Sequence, residues 1–116
     1  MDDEEKFATM LAKRLELRGC TCMVCYDGTS AIDRISQHNT TFTLILLDLQ
    51  LPDLYGTQVL ARIKSINPAI PVLILTGHGT EKDHRECMNL GAHKFIHKPL
   101  DINTLLTLLN QIKGTP

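Results

Sequence analysis

Asp48 closes an unbroken apolar run, Leu44-Ile45-Leu46-Leu47, and Pro52, Asp53 and Gly56 then end any regular element. A short apolar run bounded in this way reads as a strand buried on both faces, the kind found in parallel sheets covered by helices. Asp48 therefore stands at the carboxyl end of a central strand, the edge where ligands bind in open α/β sheets. Thr76 ends a second such run, Pro71-Val72-Leu73-Ile74-Leu75, Lys98 lies just past a third candidate strand, and Asp2 and Asp3 open the chain. Brought to one edge, these residues form a pocket of acids with one hydroxyl and one ammonium. Clustered carboxylates repel unless a cation joins them, and a hard divalent ion such as Mg²⁺ suits oxygen ligands. One carboxylate free to attack, with a metal, a lysine and a hydroxyl to neutralise phosphoryl oxygens, is equipment for moving a phosphoryl group onto aspartate. The expected chemistry is formation and loss of an aspartyl phosphate.

The elements that must position these groups alternate along the chain. Phe7, Ala8, Leu11 and Leu15 recur at helical spacing from about residue 4 to 18, and Gly19 stops that helix. Residues 20 to 26 read as a strand. Asp27-Gly28-Thr29-Ser30 is a turn and cap before a helix with Ala31, Ile32 and Ile35 inward, and residues 43 to 48 form the next strand. Val59, Leu60, Ile63 and Ile66 mark a helix that ends before Pro68, and residues 71 to 76 form a third strand. A polar helix over residues 80 to 90, a strand over 92 to 97, and a final helix carrying Leu105, Leu106, Leu108, Leu109 and Ile112 complete the order. Alternation of this kind implies right-handed crossovers and a doubly wound parallel sheet.

With Asp2-Asp3 ahead of the first helix, Asp48 with Leu51-Pro52-Asp53 and Gly56, Thr76-Gly77, Gly91-Ala92 and Lys98-Pro99, the chain resembles the receiver domains of two-component response regulators. These separated motifs run in the family's order over almost the whole chain. The resemblance implies a flavodoxin-like three-layer sandwich and a single receiver domain over residues 1–116 that is not an enzyme. It implies Asp48 as phosphoacceptor. Asp2, Asp3 and Asp48 with the Gln50 backbone carbonyl would hold Mg²⁺, Asp3 being the better candidate for a direct ligand. Thr76 and Lys98 would bind the phosphoryl group, and Thr76 with Phe95 would form the switch. Gln50 and His78 would tune its lifetime, and a cis Lys98-Pro99 bond is expected. The phosphoryl group would come from a sensor histidine kinase or phosphotransfer protein. The output face would combine the helix after Thr80, the Phe95 strand and the last helix, with an output domain beyond Pro116 among the expected partners.

Composition narrows the rest. At 116 residues, 43% hydrophobic and a net charge of -1, the chain fits one compact domain with no general attraction to nucleic acid or anionic membrane. Its acidic start is unlike a signal peptide and no apolar stretch approaches a membrane span, so a cytoplasmic location is expected. Cys20, Cys22 and Cys25 lie close together, but Cys87 stands alone and no second ligand pair follows at zinc-like spacing, so the cysteines read as small apolar residues. The five histidines form no metal-ligand pattern on a helix face.

The amino terminus departs from the family. Receivers open on an apolar strand in the middle of a sheet ordered 2-1-3-4-5, whereas here only Met1 precedes Asp2. Without that strand its neighbours would stand roughly 9 to 10 Å apart, with unpaired backbone groups between them. Three outcomes are open: a truncated chain, a gap filled by another molecule in an exchanged homodimer, or direct closure of the Cys20 strand on the Thr43 strand. An exchanged dimer is expected to phosphorylate poorly; sedimentation as a stable monomer with ordinary Mg²⁺-dependent labelling excludes it. Two other classes remain as alternatives. A receiver-like docking or dimerisation module would ignore phosphorylation. A flavin carrier or aspartate-based phosphatase fits less well, since the chain lacks a Ser/Thr/Gly-rich loop after a first strand and has Gln50 two residues beyond Asp48.

Overall fold

A computed structural model describes residues 1–2, 4–38, 42–77, 79–99 and 101–112. Its elements in chain order are α1 (Glu5–Glu16), α2 (Gly28–His38), β1 (Ile45–Leu47), α3 (Gly56–Ile66), β2 (Val72–Thr76), α4 (Glu81–Asn89), β3 (Lys94–His97) and α5 (Ile102–Ile112). The three strands form a parallel sheet in the order β1-β2-β3, with Leu47 opposite Ile74 and Thr76 opposite His97.

Side chains alternate across the sheet and build two cores. Ile45, Leu47, Val72 and Ile74 pack with Ile35, Val59, Leu60, Ile63 and Cys87 from α2, α3 and α4. Leu73, with Leu44, Leu46 and Ile96, packs on the other face against Leu15 of α1 and Leu105 and Leu108 of α5. β2 is buried along its full length, as a central strand with helices on both faces must be. Two glycines set the connections. Gly19 turns the chain after α1 at φ +88°, a conformation that side chains disfavour. Gly56 opens α3 so close to the chain that a Cβ would lie 2.5 Å from the Leu49 Cα.

Helix starts are capped, at Asp27 as the sequence suggests. Asp27 accepts the Ser30 N–H at 2.8 Å, and Thr80 and Asp83 form a reciprocal pair at the start of α4. A more distant cap also holds α2: Asp53 Oδ1 accepts the Gly28 N–H at 2.7 Å, and its Oδ2 accepts from the Thr29 N–H and hydroxyl.

The segment from residue 20 to 26 differs from its expected strand. It forms no ladder, and among the described residues its tie to the sheet side is the Asp2 N–H donated to the Cys25 carbonyl at 3.0 Å. Apolar composition alone does not make a strand; a partner of matching length must lie alongside. Direct closure on the Thr43 segment does not occur either. Met1 lies between them, its ammonium donating to the Leu46 carbonyl at 2.8 Å and its carbonyl accepting the Asp48 N–H at 2.9 Å. That is the bond pattern of one residue of a parallel strand. Beyond it opens a cavity of about 400 Å³, lined among others by Leu11, Leu15, Cys22, Val24, Leu44 and Leu46. No helix among the described residues is long and apolar enough to cross a membrane.

Candidate functional site

Asp48 leaves β1 immediately after Leu47, and Thr76 ends β2 two residues beyond Leu47's partner Ile74, so both sit at the carboxyl edge. Asp48 and Thr76 are buried. Lys98 follows β3, its backbone N–H donating to the Thr76 carbonyl at 2.9 Å, and the Lys98-Pro99 bond is cis. Asp2 reaches the same place because Met1 is held against β1.

The Lys98 ammonium organises the pocket. It donates to Asp2 Oδ2 at 2.8 Å, Glu4 Oε1 at 2.7 Å and Asp48 Oδ2 at 3.1 Å. It also lies 4.4 Å from the centre of the Phe7 ring, a cation–π contact from the first turn of α1. The remaining carboxylate oxygens are oriented by backbone donors, Asp2 Oδ1 by the Glu4 N–H at 2.9 Å and Asp48 Oδ1 by the Gln50 N–H at 3.1 Å.

Electrostatics follow from burial against pairing. Burial alone would lower the Lys98 pKa, but the hydrogen bonds it donates to Asp2, Glu4 and Asp48 outweigh it and hold the ammonium above its ordinary value. The Asp2 carboxyl is raised as well: burial pushes it up and Asp48 adds repulsion, against the pull of Lys98 and the Glu4 N–H. One oxygen each from Asp2, Glu4 and Asp48 lies within 4.8 Å of the others. Three carboxylates against one ammonium leave two negative charges uncompensated. An all-oxygen donor set with surplus negative charge fits a hard divalent cation.

Around this centre the loops are tied to neighbouring helices. The Tyr55 hydroxyl, just beyond the Asp48 loop, donates to Asp83 Oδ1 at 3.0 Å at the start of α4. Phe95 stacks on His84 of α4 with centroids 4.8 Å apart and meets His97 edge-on at 5.4 Å. A Cβ at Gly79 would lie 2.4 Å from the Phe95 ring and 2.8 Å from Thr76 Cγ2, so the residue after His78 lets this aromatic sit against Thr76.

Asp2, Asp48 and Lys98 are thus in direct contact, Thr76 borders them through its bond to Lys98, and Gln50 adjoins Asp48 through its own N–H. Asp3 and His78 lie outside the described residues. The sequence marks Glu4 only as part of the acidic run after Asp2-Asp3 and Phe7 only as part of an apolar helical stripe, neither as a site residue. An acid within an acidic run reads as a solvated charge, and Phe7 reads as core; only the path of the chain after Asp2 shows both facing Lys98.

Known proteins share this arrangement of sequence. The response regulator receiver domain family matches residues 1–110. Similar proteins include the transcriptional regulatory protein YkoG of Bacillus subtilis, 33% identical over 106 residues, which cover 91% of this chain and 46% of that protein. Transcriptional regulatory protein ZraR of Escherichia coli is 31% identical over 111 residues, covering 96% of this chain and 25% of that one. The chain therefore spans a quarter to about half the length of these relatives. Among solved structures, the receiver domain of NtrX from Brucella abortus superposes with a TM-score of 0.86 at 28% identity, covering 99% of this chain and 96% of that one.

Proposed function

The chain belongs to the response regulator receiver domain family, and from that premise we propose that it is a phosphorylation-controlled switch with Asp48 as phosphoacceptor. The observation that carries this is the Lys98 ammonium joining Asp48 to Asp2 across 50 and 96 residues of sequence. A buried carboxylate beside a fixed ammonium can attack phosphorus while the charge that develops on the phosphoryl oxygens meets a cation already in place.

In the proposed reaction one Asp48 oxygen forms a bond to phosphorus as the bond to the donor's nitrogen or oxygen breaks. The leaving group departs with that electron pair and takes a proton from solvent. Asp48 keeps its orientation through the Gln50 N–H, and Lys98 pairs with the new phosphoryl oxygens. Thr76, at the neighbouring strand end, supplies a hydroxyl toward them, and Phe95 packed near Thr76 carries the change to the α4 and β3 face. Asp2, Asp48 and the Gln50 carbonyl are the proposed holders of Mg²⁺. Bound there, the ion would offset charge on the phosphoryl oxygens. Gln50, exposed beside Asp48, and His78 are proposed to set access of hydrolytic water.

A histidine kinase or histidine-containing phosphotransfer protein is the proposed donor, and output domains like those of the longer relatives are proposed to read the switch. The test is incubation with acetyl phosphate and Mg²⁺, followed by intact mass. Wild type gains one phosphate and Asp48→Ala gains none; equal labelling of the two, or none of wild type, overturns the proposal.

A further inference from the structure

Resting on the phosphoacceptor reading of Asp48, we infer that Glu4 is the group the phosphoryl moiety must displace from Lys98, so that Glu4 sets how readily Asp48 is phosphorylated. A lysine ammonium has three protons to donate. In this structure the three are committed to Asp2, Glu4 and Asp48, and the Phe7 ring covers a further side. Forming the acyl phosphate takes the charge from the Asp48 carboxyl and frees the one proton that Asp48 held, so a second phosphoryl oxygen can gain Lys98 only when Asp2 or Glu4 lets go.

The three partners are unequal. Asp48 is the residue modified, and Asp2 is buried, with its other oxygen held by the Glu4 N–H. Releasing Asp2 would strand a buried carboxylate, at high cost. Glu4 has a side chain 59% exposed, so water takes over its oxygens when it leaves. Its bond to Lys98, at 2.7 Å, is nevertheless the shortest of the three. Glu4 is thus the partner that holds Lys98 closely and is cheapest to remove. Once displaced, its carboxylate stays near the dianionic group and repels it, which favours loss of the phosphate. Glu4 acts through Lys98 and is a positioning residue.

The experiment measures phosphorylation by acetyl phosphate at saturating Mg²⁺, which removes any difference in metal affinity, for wild type and Glu4→Gln. The variant is expected to reach half-maximal labelling at about two- to fivefold lower acetyl phosphate, the range set by a partly exposed ion pair, with the maximal rate little changed. Its aspartyl phosphate should last longer by a similar factor, and the difference between the proteins should shrink as salt rises. The Lys98 side-chain ¹⁵Nζ resonance should shift in unphosphorylated Glu4→Gln, a signature that a purely structural role would not give. Half-saturation equal to or above wild type, with unaltered lifetime, overturns the inference while leaving the phosphoacceptor reading intact. That reading fails separately, if wild type itself takes no phosphate on Asp48.

Discussion

Lys98 shows how much of the pocket rests on one side chain. Replacing it with methionine keeps an unbranched apolar side chain but removes the cation that Asp2, Glu4 and Asp48 share and that lies over the Phe7 ring. Lys98→Met is expected to bind Mg²⁺ more tightly than wild type, because repulsion among the acids is then relieved only by the metal, and to retain phosphate poorly; calorimetric titration and intact mass check both halves. Cys87 offers a contrasting case. Burial, reinforced by Asp83 and Glu86, pushes its thiol up to about 11, so at pH 8 it should resist iodoacetamide until the protein unfolds, while half-buried Cys20 reacts first. At this scale Asp48 and Lys98 were legible in the sequence because Pro and Gly punctuate the strands before them. Glu4 was not, because chain direction after Asp2, and not residue type, turns its carboxylate toward Lys98.

Helices were legible where an apolar stripe and a cap coincide, as in α2 with Asp27 ahead of Ala31, Ile32 and Ile35. The segment from residue 20 to 26 was not, because a strand is defined by what lies beside it. One cap came from outside its own helix: Asp53 belongs to the Asp48 loop yet holds the amino terminus of α2. The Thr29 hydroxyl and the Gly28 and Thr29 N–H groups lower its carboxyl to about 2 from an ordinary 3.8. A depressed carboxyl stabilises the fold above its unfolded value and loses that contribution as pH falls through its folded value. Amide exchange at Gly28 and Thr29 should therefore accelerate between pH 3.8 and about 2, and Asp53→Asn should show the faster exchange already at neutral pH. Equal rates in both proteins across that range would mean the α2 terminus is held by Asp27 alone. At the start of α3, Gly56→Ala should cost about 1–3 kcal/mol, read from urea unfolding, because its Cβ would meet backbone.

Over the whole molecule, the doubly wound architecture was legible from the alternation of elements, whereas the outcome at the amino terminus was decided by packing between distant segments. The parallel bonds of Met1 with Leu46 and Asp48, continued by an apolar cavity, define a strand-shaped space. Joining a Val-Ile-Leu-Val tetrapeptide to the amine of Met1 would replace a buried ammonium, whose pKa burial already lowers, with an amide. Apolar burial and new ladder bonds, less the entropy of ordering four residues, should stabilise the protein by roughly 3 kcal/mol. The melting temperature should then rise by about 10 °C, and a Gly-Ser-Gly-Ser extension, which removes the same ammonium without adding apolar burial, should raise it less. The tether from the Tyr55 hydroxyl to Asp83 reaches across this architecture in another direction, from the end of the Asp48 loop to the first turn of α4. Thermodynamic linkage gives it a two-way consequence. Any ligand of α4 that favours one arrangement of this strut would, on the proposed reaction, change the equilibrium for forming the acyl phosphate by the same factor by which the acyl phosphate changes that ligand's affinity, so a downstream target would help set the fraction of molecules that carry the signal.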